Sequence, residues 1–268
     1  MQLNGQVPLS IIVPAYNEVG RISGTLAWYR EFLSKHAGWR NSEVIVVCDG
    51  CTDGTANAVR ALDWPGPYLR VIEYSPNRGK GYALRQGVAV SRGDMVLMAD
   101  ADGTTPLSEA IWMSELLKQR GADMVVGSRR AVTSRLEVAQ PWRRRLLGKL
   151  FSFFVGKVLG LSYRDTQCGF KLFRGHVARR LFGECRCDHY AIDVELLYRA
   201  KWLGLESLEV GIIWRNGTNS HVRPFHDGVR MLIDALRIRS HVSRLAVSHS
   251  RVHTKNRGAP NTASGVSS

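Results

Sequence analysis

The sequence predicts an α/β fold, a mostly parallel sheet flanked by helices, and three observations carry that expectation. Short β-branched runs alternate with helix-length segments through the first hundred residues, acidic residues recur where those runs end, and 44% apolar content over 268 residues can fill one sizeable core. Such alternation implies parallel strands joined by right-handed crossovers. One domain is therefore expected over residues 1–244. A polar, His-, Gly-, Ser- and Pro-rich tail over 245–268 reads as disordered.

Leu9 to Pro14 is the first strand, followed by a helix from about Glu18 to Lys35. Glu43 to Val47 is a second buried strand, with Thr52 or Asp53 expected to cap the next helix, and Tyr68 to Tyr74 is the third. The turn Asn77-Arg78-Gly79-Lys80-Gly81 leads into a helix from Tyr82 to Ser91, and Asp94 to Ala99 is a fourth strand that ends on Asp100-Ala101-Asp102. A helix over Leu107 to Arg120 and a strand over Asp123 to Val126 complete a nucleotide-binding half. Ligands of such sheets gather at the carboxyl ends of strands, where Pro14, Asp49, Asp100 and Asp102 all fall.

Lys and Arg number 37 against 23 Asp and Glu, a formal net charge of +14 with a pI near 10.0. That excess favours a polyanionic partner: nucleic acid, phosphorylated small molecules or an anionic lipid surface. The start has no basic, apolar leader, and no uninterrupted apolar run approaches the roughly 20 residues of a membrane span, so a cytosolic or peripheral protein is expected. Residues 140–161, with Arg143, Arg144 and Arg145 ahead of an aromatic, apolar stretch, suit either an interfacial amphipathic helix or a core-packing helix with a solvated basic start. Five cysteines, an odd count, favour reduced thiols. Cys48 and Cys51 have redox or zinc half-site spacing but no second such pair accompanies them, and Cys185, Cys187, His189 and His176 lack a standard zinc spacing.

Asp100 and Asp102 put two carboxylates on the loop after an apolar strand, a common way to offer hard oxygen ligands to Mg²⁺ or Mn²⁺ bound to phosphates. No phosphate-binding loop of the G-x-x-x-x-G-K-[ST] type and no G-x-G-x-x-G fingerprint occurs, which removes support from ATP hydrolysis and dinucleotide redox chemistry. Pro14, Tyr16, Asn17 and Glu18 could instead bracket a base or ribose, Asp49 could accept a base imino N–H, and Arg78 and Lys80 could meet a diphosphate.

Val13-Pro14-Ala15-Tyr16-Asn17-Glu18, Val47-Cys48-Asp49-Gly50-Cys51-Thr52-Asp53, Asn77-Arg78-Gly79-Lys80-Gly81 and Ala99-Asp100-Ala101-Asp102-Gly103 resemble the successive motifs of GT-A-fold, family 2 glycosyltransferases. The segments 127–129, 164–173 and 191–200 resemble the dolichyl-phosphate β-glucosyltransferase branch, and the similarity runs from about Leu9 to Arg244. The resemblance implies a Rossmann-like GT-A sheet, Asp49 at the nucleobase, Asp100 and Asp102 at the sugar nucleotide and its metal, Asp165 on the acceptor side, and Asp193 and Glu195 near the donor sugar. Solvated ion pairs on an exposed helix face are the alternative for Asp193 and Glu195. Cys168, Gly169 and Phe170 read as packing residues. Two departures stand out: Cys48 replaces the first of the usual acidic pair, and Cys51 replaces a small hydroxyl residue. The chain also lacks the amino-terminal anchor of the eukaryotic enzymes, so membrane contact would rest on residues 142–161 and basic surface.

The activity so implied is inverting transfer of a sugar, expected to be glucose, from a UDP-sugar to a polyprenyl or dolichyl phosphate at the cytoplasmic face of a membrane. A phosphate acceptor is already ionised near neutral pH, so positioning and electrostatics replace a strong base. Arg129, Arg143, Arg144, Arg145 and Arg164 are the candidates for its phosphate. The rivals are a GDP-mannose enzyme of the same fold, transfer to a glycan hydroxyl with Asp165 or Glu195 as base, and a basic nucleic-acid-binding protein. The scattered basic residues and the absence of a nucleic-acid motif speak against the last.

Overall fold

The computed structural model describes residues 6–136, 142–215, 228 and 230–242; the side chains of 67, 136, 142–147, 149 and 150 lie outside it. Four parallel strands, β1 (Leu9–Ala15), β2 (Glu43–Asp49), β3 (Leu69–Tyr74) and β4 (Met95–Met98), pair in the order β3-β2-β1-β4. Their residues alternate between two buried layers. Ile12, Ile45, Val47, Val96 and Met98 face one side, while Ile11, Val13, Val44, Val46 and Leu97 face the other. Both layers are covered by helices, which is why β1, β2 and β4 read as nearly continuous apolar runs.

Helices α1 (Ile22–Lys35), α2 (Thr55–Arg60) and α4 (Ser108–Gln119) cover the layer containing Leu97. The opposite layer is covered by α3 (Lys80–Ala89), α5 (Trp142–Leu159), α6 (Gly175–Glu184), α7 (Ile192–Trp202) and a helical segment over 230–242. The sheet continues with β7 (Lys171–Arg174), β5 (Met124–Ser128) and β8 (Ser207–Gly211), giving the order β3-β2-β1-β4-β7-β5-β8. β7 is antiparallel to both neighbours. A two-stranded ribbon of β6 (Arg135–Leu136) and β9 (Ile213–Trp214) lies beside the main sheet in sequence order.

Helix starts differ from the sequence expectation where tertiary contacts take over capping. α1 begins at Ile22 instead of Glu18, because Asn17 sits at φ 55° and the Glu18 carbonyl accepts the amides of Arg21 and Ile22 in a separate turn. α2 is capped by Gly54, at φ 86°, and not by Thr52 or Asp53; Asp53 contributes from outside the cap position, its carboxylate accepting the Thr55 amide. α3 begins at Lys80, two residues early. The Asp188 carbonyl accepts the amides of Gly81 and Tyr82, while the Asp49 carboxylate accepts that of Gly79.

Of the segment 140–161, α5 packs into the core, as one of its two expected characters had it. In α5, Ser152, Val155 and Leu159 are buried, whereas Phe153 and Phe154 are 59% and 55% exposed. Among the described residues no helix is long and apolar enough to cross a membrane. The tail over 245–268 lies outside the described residues.

Leu97 is fully buried at the centre of β4, between β1 and β7. Leu97→Ala is expected to cost about 2–5 kcal/mol of stability, measured as a shift of the urea unfolding midpoint at unchanged slope.

Candidate active site

The carboxyl ends of β1, β2 and β4 open onto one edge of the sheet. Asp49 ends β2, and its carboxylate accepts the Arg78 amide at 2.7 Å on Oδ1, and the Gly79 amide at 2.7 Å and Asn77 Nδ2 at 2.9 Å on Oδ2. A carboxylate has about four acceptor positions, and these three donors fix its orientation at the end of β2. Gly50 follows at φ 65°, and any Cβ there would collide with the Asn77 backbone. Pro14 lies within β1, paired with Val47. Tyr16 is exposed, while Asn17 and Glu18 are knit to the β2–α2 loop: Asn17 Oδ1 accepts the Thr52 amide at 2.8 Å, and the Glu18 amide donates to Thr55 Oγ1 at 2.8 Å. Arg78 lies over the Tyr82 ring, 3.6 Å from its centroid.

Asp100 and Asp102 line a small cleft with Tyr29, Thr104, Arg129 and Trp214. Their environments differ. Burial pushes the Asp100 carboxyl up, but Lys80, whose Nζ is 2.8 Å away, outweighs it with help from Arg129 and Lys171, and the carboxyl lies below its ordinary value. Asp102 is raised, first by burial and then by the charge of Asp100. Gly169 packs so closely on Asp100 that a Cβ would strike the carboxylate. Two carboxylates on one loop, one of them repelled by the other, form a hard-oxygen donor set that a divalent cation would relieve, and in this respect the residues fit Mg²⁺ or Mn²⁺. Among the described residues no three His, Cys, Asp or Glu gather as ligands, so phosphate oxygens and water would have to complete the shell.

Behind the cleft runs a line of buried charge. Lys80 Nζ is 3.5 Å from Asp193 Oδ2 as well as 2.8 Å from Asp100, and the other oxygen of Asp193 accepts from Lys171, which is fully buried and also donates to the Cys168 carbonyl. Lys171 received no role from the sequence; it opens β7, a strand that also carries Arg174, and nothing in that pattern marks it as buried. A second pair lies alongside. Arg129 binds Asp165 through Nε at 2.7 Å and Nη2 at 3.0 Å, and its amide donates to the same carboxylate at 3.1 Å. Burial raises the Asp165 carboxyl, yet the Arg129 guanidinium holds it well below the usual carboxylate range.

Glu195 is buried on α7 and accepts the amides of Arg186 and Cys187 and the Arg199 guanidinium. It thereby fixes the strap whose Asp188 carbonyl caps α3. Neither Asp193 nor Glu195 is the solvated charge of an exposed helix face. Arg164 is exposed, and its amide donates to Glu209 at 2.9 Å. Arg143, Arg144 and Arg145 belong to α5, but their side chains lie outside the described residues. The five cysteines are free thiols.

A sheet of this order, with paired carboxylates after β4, is the architecture of GT-A glycosyltransferases. The chain belongs to the Glycosyl transferase family 2, whose family profile matches residues 10–182, and is an enzyme of that class. It is 36% identical to the dolichyl-phosphate beta-glucosyltransferase of Dictyostelium discoideum, over 86% of this chain and 73% of that one. It is 39% identical to the same enzyme of Drosophila melanogaster, over 83% and 72% of the two chains. Among solved structures, glucosyl-3-phosphoglycerate synthase from Mycobacterium tuberculosis in complex with Mn²⁺ and UDP-glucose shares the fold at a TM-score of 0.63 and 22% identity, over 87% of this chain and 78% of that one. Mannosyl-3-phosphoglycerate synthase from Rubrobacter xylanophilus does so at 0.65 and 21%, over 88% and 75%.

Asp165→Asn leaves Arg129 buried without a countercharge and is expected to cost about 3–5 kcal/mol near neutral pH. Because the folded carboxyl lies below its unfolded value of about 3.9, its stabilisation is complete above that pH and fades as pH falls toward the folded value. The stability gap between wild type and variant should therefore narrow in urea titrations at about pH 3 relative to neutral pH. A gap that stays constant would contradict the pairing.

Proposed function

We propose that the protein transfers glucose from UDP-glucose to a polyprenyl phosphate of the dolichyl type, with inversion at the anomeric carbon. The observation that carries this reading is the similarity to dolichyl-phosphate beta-glucosyltransferases along more than four-fifths of the chain. The cleft suits the chemistry. Asp49 would accept a base imino N–H, and Pro14, Tyr16, Asn17 and Glu18 border the same edge. Arg78 and Lys80 would meet the diphosphate, Lys80 being held by Asp100 and Asp193.

Asp100 and Asp102 would hold the divalent ion, which supplies charge neutralisation at the departing diphosphate. Arg129, held by Asp165, presents its guanidinium to the cleft where the acceptor phosphate would approach, and Arg164 and the arginines at 143, 144 and 145 remain candidates to guide it. No base is required of the protein, since the acceptor oxygen is already anionic. Asp165 and Glu195 are engaged by several donors each, which speaks against either as the base for a hydroxyl acceptor. Glu195 supports the donor side through the strap that caps α3.

Polyprenyl-phosphate-dependent release of UDP from UDP-glucose, exceeding release of GDP from GDP-mannose, is the expected result. Asp102→Ala should lower turnover on the order of 10²–10³-fold, the scale for one preorganised electrostatic group. Equal turnover with a glycan acceptor in place of the lipid phosphate would overturn the acceptor assignment.

A lipid acceptor also requires access to a membrane, and we place the enzyme peripherally on the cytoplasmic face, where anionic lipid attracts a chain of net charge +14. Phe153 and Phe154 on α5 and Leu232, Ile233 and Leu236 on the 230–242 helix are exposed apolar groups, and Lys157, Arg237 and Arg239 add charge on the same two helices. Replacing Phe153 and Phe154 together by Ser should weaken co-sedimentation with phosphatidylglycerol vesicles roughly tenfold, given the apolar area withdrawn, and added salt should weaken the wild type further.

A further inference from the structure

Cys48 and Cys51 flank the Asp49-Gly50 turn, and both side chains pack into the same buried layer. Cys48 is fully buried at the end of β2, while Cys51 is part-exposed. Cys51 also joins the two loops that border the nucleotide edge: its thiol donates to the Ala15 carbonyl at 3.3 Å, and its sulfur accepts the Asn17 amide at 3.4 Å. The contact with Cys48 brings the Cys51 thiol down to about 7, whereas the same contact and burial push Cys48 up. One thiol is thus accessible and readily ionised, and the other waits beside it.

We propose that Cys48 and Cys51 form a reversible disulfide that weakens nucleotide binding. A peroxide-class oxidant would convert the Cys51 thiolate to a sulfenic acid with release of hydroxide. Cys48 sulfur then attacks the Cys51 sulfur, the S–O bond breaks, and the departing hydroxide takes the Cys48 proton as water, so that two thiols and one peroxide give one disulfide and two waters. A dithiol reverses the step by exchange. Closing the bridge removes the Cys51 proton that the Ala15 carbonyl accepts and draws its sulfur from the Asn17 amide. It also encloses Asp49 and Gly50 in a ring, although Gly50 has no room to move against Asn77. Both nucleotide-bordering loops therefore lose their register.

The nucleotide effect rests on the proposed function, but bridge formation does not, and the experiment separates them. Residues 41–60 form one tryptic peptide containing Cys48 and Cys51 and no other cysteine. After hydrogen peroxide, that peptide should be lighter by two hydrogens and refuse alkylation. UDP affinity, followed by calorimetry, should fall about tenfold or more, consistent with the loss of two hydrogen bonds. Dithiothreitol should restore both. Cys51→Ser, and independently Cys48→Ser, should keep UDP affinity through the same treatment. Two alkylatable thiols in the treated peptide, or a closed bridge with unchanged UDP affinity, would overturn the proposal. Failure of the reduced protein to bind UDP would overturn the nucleotide reading instead, while the peptide mass still decides whether the bridge closes.

Discussion

The edge of the candidate site depends on one line of alternating charge that runs from the buried Lys171 and Asp193 through Lys80 to the part-exposed Asp100. Each member comes from a different element: β7, the start of α7, the start of α3 and the loop after β4. Removing such charges from water costs several kcal/mol per ion, and only a complete set of partners offsets it. The four elements are consequently fixed relative to one another by the same contacts that place two ammonium groups behind the cleft. The antiparallel insertion of β7 between β4 and β5 is what delivers Lys171 to this line.

Much of the parallel half was legible because its strands are covered on both faces. The continuous apolar runs of β1, β2 and β4 read as buried strands, and these and the half-buried edge strand β3 fall within a residue or two of where they read. Helix starts were less legible: that of α1 is set by a local turn at Asn17 and Glu18, and the donors at the start of α3 are met by the Asp188 carbonyl, some hundred residues after α3. The place of β7 was not legible at all. Four residues, Lys-Leu-Phe-Arg, carry no signal of which strands they separate.

The same contrast holds within the site. Asp49, Asp100 and Asp102 stood out because each ends an apolar strand, a position the sequence displays. Asp193 and Glu195 sit on a helix at a spacing that ordinary solvated ion pairs also use, so only the likeness to a family marked them. Their burial depends on β7, the 185–188 strap and Arg199, none of which local pattern reveals. Lys171 is the extreme case, a fully buried cation that composition counts merely as surface charge.

The chemistry follows from how the carboxylates are occupied. Asp165 is claimed by Arg129, Asp193 by two lysines, Glu195 by two amides and an arginine, and Asp100 by Lys80. Groups so engaged hold their position. Asp102 stands apart, raised by burial and by its neighbour's charge and bound within the chain through the Thr104 amide. An edge so arranged is poorly suited to abstracting a proton from a neutral hydroxyl. It is well suited to a reaction in which nucleophile and leaving group both bring their negative charge with them, because fixed cations, and a divalent ion that Asp100 and Asp102 would hold, can then do the stabilising without reorganising.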